Sequence, residues 1–240
     1  MKAAGCGWRA PTPRSAITSS SATGRPTGAV RSSGGEIQFH HNLVAANQAD
    51  NGSGTLFQDP VLADLHNNVV IDNSFNGVVI VGGMQARVRF NTLAGNGVGQ
   101  GGEAIALDNV ATAEVRANAL RNNHIGLRVS GGTQVTLVRN SLWANQGDYA
   151  GIEAGPSDLR GDPRHANGPL GSFYLSNVAA GQPSNSPLID ASGITVHQAG
   201  LQETTTRTDG AADQGMADIG SHYVSVTGTG RVWLPIVRSP

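Results

Sequence analysis

Apolar residues in the middle of the chain alternate with polar ones, and the alternation restarts at a regular interval. Its anchor is the pattern Asn-x-hydrophobic-x-x-Asn, which occurs five times. The copies run Asn42–Asn47, Asn68–Asn73, Asn91–Asn96, Asn118–Asn123 and Asn140–Asn145, with first asparagines 26, 23, 27 and 22 residues apart. Three residues before each first asparagine stands Phe39, Leu65, Val88, Val115 or Leu137; five before stands Ile37, Ala63, Ala86, Ala113 or Val135. Apolar residues two apart predict a strand with one buried face. Beyond each second asparagine a variable loop leads to another apolar alternation: Gly77–Ile80, Ala104–Leu107, Gly126–Val129 and Gly151–Ala154, with a blurred version between Gly54 and Phe57.

Three short strands per repeat predict one coil of a parallel β-helix, and the fold class is an all-β solenoid of about five coils. Coils stack about 4.8 Å apart, so equal repeat positions form columns. Stacked asparagines can bond amide to amide along such a column, and Asn tolerates the left-handed backbone of a sharp corner. Asn42, Asn47, Asn68, Asn73, Asn91, Asn96, Asn118, Asn123, Asn140 and Asn145 are therefore expected to be a structural ladder. The repeats occupy 36–155.

On these five repeats the chain resembles the right-handed parallel β-helix repeat family, the pectate-lyase-like fold of pectate lyases, polygalacturonases and many bacterial surface proteins. Residues 156–226 lose the repeat and read as a cap or extension of the helix; 227–240, with the apolar run Val232–Val237, read as a tail. The order Gly161-Asp162-Pro163-Arg164, then Ser186-Pro187-Leu188-Ile189-Asp190-Ala191, then Asp218-Ile219-Gly220 is similar to the end of secreted bacterial β-helix proteins of the "choice-of-anchor" type. That resemblance implies an extracellular or cell-surface place and no assigned catalysis. A solenoid end must be covered, and Tyr174, Leu175, Leu188, Ile189 and Val224 are expected to cover the last coil. Residues 1–35 hold five cations and no acid, lack strand or helix periodicity, and are expected to be a disordered leader or a gene-model artefact. The N-terminal end thus has no comparable cover, and the first coil is expected to be ragged or to continue upstream.

Composition sharpens the picture. Glycine is 33 of 240 residues and charged residues are 14%, which excludes a helix bundle or coiled coil. A net charge of −1 argues against a nucleic-acid partner. No apolar run reaches the roughly 18 residues of a membrane span. The single cysteine, Cys6, forbids an intrachain disulfide. A monomer is expected.

Candidate chemistry lies on the outward columns. Four residues before the first asparagines the column reads Gln38, Asp64, Arg87, Glu114, Thr136; two before, it reads His40, His66, Arg89, Arg116, Val138. His40, Asp64, His66, Arg87, Arg89, Glu114 and Arg116 form a polar strip suited to a polysaccharide or an envelope component, since Arg grips carboxylates and the polar groups bond sugar hydroxyls. The alternative is a solvated face in which Arg87 balances Asp64 and Glu114. A lyase or hydrolase of an acidic polysaccharide would have to use Arg89, Arg116, Asp64 and Glu114, although the two carboxylates lie two coils apart. No cofactor is expected; the alternative is Ca²⁺ at Asp209, Asp213 and Asp218, the densest run of carboxylates. The seven histidines show no zinc spacing, and His40 and His41 are expected on opposite faces of a strand. The expected protein is a secreted or cell-surface module, non-catalytic, structural or polysaccharide-contacting. The alternatives are the enzyme and a self-assembling surface repeat.

Overall fold

A computed structural model describes residues 30–48, 54–225 and, for the backbone alone, 236–237. The chain winds as a parallel β-solenoid. The first coil holds β1 (Val30–Ser33), β2 (Glu36–His40) and β3 (Leu43–Ala45). The second holds β4 (Thr55–Gln58), β5 (Leu62–His66) and β6 (Val69–Ile71), and the third β7 (Val78–Val81), β8 (Gln85–Arg89) and β9 (Thr92–Ala94). The fourth holds β10 (Glu103–Asp108), β11 (Thr112–Arg116) and β12 (Ala119–Arg121), and the fifth β13 (Ile125–Ser130), β14 (Gln134–Val138) and β15 (Ser141–Trp143). A partial sixth turn adds β16 (Gly147–Ala150) and β17 (Leu159–Arg160). First strands pair with first, second with second and third with third, all parallel, which gives three sheets around one core.

Equal positions do stack in columns. Val44, Val70, Leu93, Leu120 and Leu142 are register partners and at most 2% exposed. Truncating one of them, such as Leu120, to alanine would cost about 2–5 kcal/mol. The asparagine ladders are equally continuous. The backbone N–H and side-chain Nδ2 of Asn42 both donate to Oδ1 of Asn68, and the same pair of bonds runs from Asn68 to Asn91, Asn91 to Asn118 and Asn118 to Asn140. A second ladder joins Asn47, Asn73, Asn96, Asn123 and Asn145. Every amide-to-amide bond runs toward the later coil, while the other Nδ2 hydrogen of Asn68, Asn91 and Asn118 goes back to a backbone carbonyl of the earlier one. At that end Asn140 donates to Asp158 and Asn145 to Asp148.

The left-handed corners fall one residue earlier than expected. His41, Asn67, Phe90, Ala117 and Arg139 have φ between 52° and 57°, each directly before a ladder asparagine. Left-handed backbone costs a residue with a Cβ roughly 1–2 kcal/mol, and the ladder bonds just beyond each corner offset it. Two strand boundaries also differ from the sequence reading. β1 begins at Val30, inside the stretch assigned to the leader, whose residues 1–29 lie outside the described ones. The third alternation of the last repeat is Gly147–Ala150, four residues before Gly151–Ala154, because Gly147 and Tyr149 pair with Ile125 and Leu127.

The C-terminal region departs furthest from expectation. It contains the hairpin β18 (His165–Gly168) and β19 (Gly171–Leu175), one helical turn α1 (Val196–Ala199), and the pair β20 (Thr204–Thr205) and β21 (Tyr223–Val224). Leu175, Leu188, Val196, Leu201, Ala217 and Ile219 form a second core with Phe90, Ala117 and Ala119 of the third and fourth coils. Leu175 and Leu188 thus pack along the flank of the solenoid, on the corner column, whereas Ser157, Asp158 and β17 bond to the fifth coil. Polar bonds tie the region to the flank: one from the Gly220 N–H to the Ala117 carbonyl, two between Ser221 and Thr92, and two between His222 and Asn67. The last strand, β22 (Ile236–Val237), pairs with β3 and so extends the third sheet at the first coil, the end expected to have no cover.

Candidate metal centre

His40 closes β2 and is in register with His66, which closes β5. One strand spacing therefore separates them, and their rings stack at 4.7 Å with planes 13° apart. His41 comes next in the chain. Strand alternation would send it to the opposite face, but His41 has left the strand at φ +57°. The corner swings its ring back, and Nδ1 of His41 lies 3.0 Å from Nδ1 of His40. The donor atoms of His40, His41 and His66 all lie within 4.8 Å of one another.

All three rings are half-buried. Burial, then the neighbouring His66, lowers the pKa of His40, against the pull of Asp64. Burial, then His40, His66 and His222, brings His41 down to about 4. Near neutral pH these two are therefore uncharged imidazoles with lone pairs to offer. Nδ1 of His66 is buried without a hydrogen-bond partner. It faces Oδ1 of Asp64 at 3.6 Å, too long for a hydrogen bond.

Asp64 sits two residues before His66 and so on the same face of β5. It is 8% exposed, and one guanidinium nitrogen of Arg89 donates to both its oxygens at 2.8 and 3.0 Å. Burial alone would raise the Asp64 carboxyl; the His66 imidazole and the Arg89 guanidinium outweigh it and carry the carboxyl down to about 2.

The rest of the strip divides. Arg116 bonds Glu114 at 2.7 Å, so Asp64 and Glu114 are each held by an arginine two residues further along their sheet face or chain. Arg87 stands in register between Asp64 and Glu114, but it forms no ion pair with either or with any other described residue. The four groups an enzyme would need, Arg89, Arg116, Asp64 and Glu114, are thus tied up as two separate pairs.

The C-terminal carboxylates also regroup. Asp209 pairs with Arg207 and leaves the cluster. Asp213 and Asp218 gather instead around His222, again within 4.8 Å. Here the atoms are spoken for. His222 Nε2 lies 3.0 Å from Asp213 and Nδ1 lies 3.1 Å from the Gly220 carbonyl. Asp218 accepts from the Asp190 N–H and the Thr206 hydroxyl. Burial, then Asp213, raises the Asp218 carboxyl to about 6. His41 and His222 were not singled out by the sequence; the signal for His41 was its place one residue before a ladder asparagine.

Residues 16–153 match the family described as "NosD: Periplasmic copper-binding protein (NosD)". The match spans more than half of the chain, all five coils and the three histidines. The chain belongs to the NosD family. No curated protein and no solved structure matches it. NosD proteins are by description periplasmic, consistent with an extracellular or envelope location. No helix among the described residues is long and apolar enough to cross a membrane.

Proposed function

We propose that this chain is an envelope β-helix module that holds a copper ion through His40, His41 and His66. The observation that carries the reading is the convergence of three imidazole donors within 4.8 Å. The donor set fits: neutral imidazole suits copper, zinc, iron and nickel, whereas Ca²⁺ demands oxygen ligands. The family's description names copper. Copper held there by the three imidazoles would supply a Lewis-acidic, redox-active centre. The protein's own part is to hold the three rings on rigid strand ends, with His41 brought in by its corner.

The test is titration of the metal-free protein with Cu²⁺, and with Cu⁺ under reducing conditions, against a competing chelator. One equivalent bound tightly, and lost in His40→Ala, His41→Ala and His66→Ala, is expected. Wild-type protein that fails to compete, or variants that bind equally well, would overturn the proposal.

A second reading places a polysaccharide along the strip, with the module a non-catalytic monomer. What favours it is Arg87, a half-buried cation without an ion pair among the described residues, on the outer face of the sheet. Retention on an acidic-glycan column, lost in Arg87→Ala, would support it. Release of unsaturated products or reducing ends, lost in Arg89→Ala or Arg116→Ala, would instead show an enzyme.

A further inference from the structure

We infer that Asp64 is a positioning residue for the histidine centre: it fixes which nitrogen of His66 faces the metal. The inference rests on the copper reading above and adds a carboxylate to it. Asp64 and His66 share one face of β5 two residues apart, and Oδ1 of Asp64 lies 3.6 Å from Nδ1 of His66. A few tenths of an ångström separate that from hydrogen-bond length. This buried Nδ1 has no hydrogen-bond partner, and the Asp64 carboxylate is what it faces.

The chemistry of the contact sets the proton. A carboxylate accepts and never donates, so a bare Nδ1 lone pair facing it would be repelled. The proton therefore sits on Nδ1 and the lone pair on Nε2. Metal-binding histidines commonly give their second ring N–H to a carboxylate, which fixes tautomer and ring orientation. Arg89 completes the arrangement: its two bonds to Asp64 hold the carboxylate in place and balance its charge. The ion would then meet three neutral nitrogens beside an already neutralised acid, a setting that favours copper over Ca²⁺ or Mg²⁺.

The experiment reads the tautomer directly and the affinity separately. Uniformly ¹⁵N-labelled metal-free protein is examined by long-range ¹H–¹⁵N correlation, which distinguishes Nδ1–H from Nε2–H at His66. Wild type should show Nδ1–H. In Asp64→Leu the ring should turn to the Nε2–H form, and the Cu²⁺ dissociation constant should rise about 10–100-fold. Arg89→Met breaks the same ion pair but keeps the carboxylate; it should retain Nδ1–H and bind within a few-fold of wild type. Nε2–H in wild type, an Asp64→Leu protein unchanged in tautomer and affinity, or an Arg89→Met protein as impaired as Asp64→Leu would each overturn the inference. A wild type that binds no copper would sink the copper reading alone, because the tautomer still reports on Asp64.

Discussion

The first two coils and the C-terminal region each gather three metal-capable side chains within 4.8 Å, in opposite ways. At His40, His41 and His66 the rings are half-exposed and one buried nitrogen is left without a hydrogen bond. At Asp213, Asp218 and His222 the side chains are almost wholly buried, and backbone groups, Thr206 and each other take up their polar atoms. Proximity of ligand-type residues is thus shared by a proposed site and a clamp. What differs is exposure of the rings and how far the surrounding protein has already engaged the polar atoms.

The sharpest way to break the comparison is to remove each histidine. His222→Ala takes the partner from a buried carboxylate and a ring contact from Phe90, so it should cost about 3 kcal/mol of stability in urea unfolding and leave copper affinity unchanged. His41→Ala should do the reverse: a copper dissociation constant raised about 100-fold, with a stability change within about 1 kcal/mol because the side chain is only half-buried. If His222→Ala abolished copper binding, the two clusters would have to be read as one.

The next effect is in pH. Asp218, raised to about 6, holds its proton better in the fold than in the unfolded chain, so its contribution is full below about pH 4 and is lost as pH rises through 6. His41, lowered to about 4, gives up its proton more readily in the fold, so its contribution is full above about pH 6.5 and is lost as pH falls through 4. Between pH 4 and 6.5 the two slopes oppose each other. Asp218→Asn should therefore steepen the rise of metal-free stability with pH, and His41→Gln should flatten or invert it, in melting temperatures measured across that window. The smallest effect is at Arg87. Arg87→Ala should change stability by less than about 0.5 kcal/mol, so any loss of glycan retention there would report contact and not folding.

The repeat made the solenoid legible. Alternation placed the inward-facing residues of β2, β5, β8, β11 and β14, and the asparagine spacing placed both ladders, because each coil repeats the same local demand. The site was half legible. His40 and His66 follow from the column, but His41 does not, since a left-handed corner suspends the alternation that column reading assumes. The ion pairs misled for a related reason. Arg87 is the register neighbour of Asp64, yet the longer reach is taken by Arg89, diagonal to it and aligned with His66. The flank docking of Leu188, Ala217 and Ile219 on Phe90 and Ala117 was hidden because such contacts occur once, between distant segments, with no period to expose them.

The two carboxylates at the far end of the ladders act as punctuation. An asparagine receives two hydrogens from the coil before it and hands its own on, so it can be read again and again. Asp148 and Asp158 can receive but have no side-chain N–H to hand on. They spell the end of the repeat in the same chemical language that propagates it. A longer solenoid would therefore need more than additional coils: Asp158, which takes both Asn140 hydrogens as a ladder asparagine would, would first have to be rewritten as asparagine.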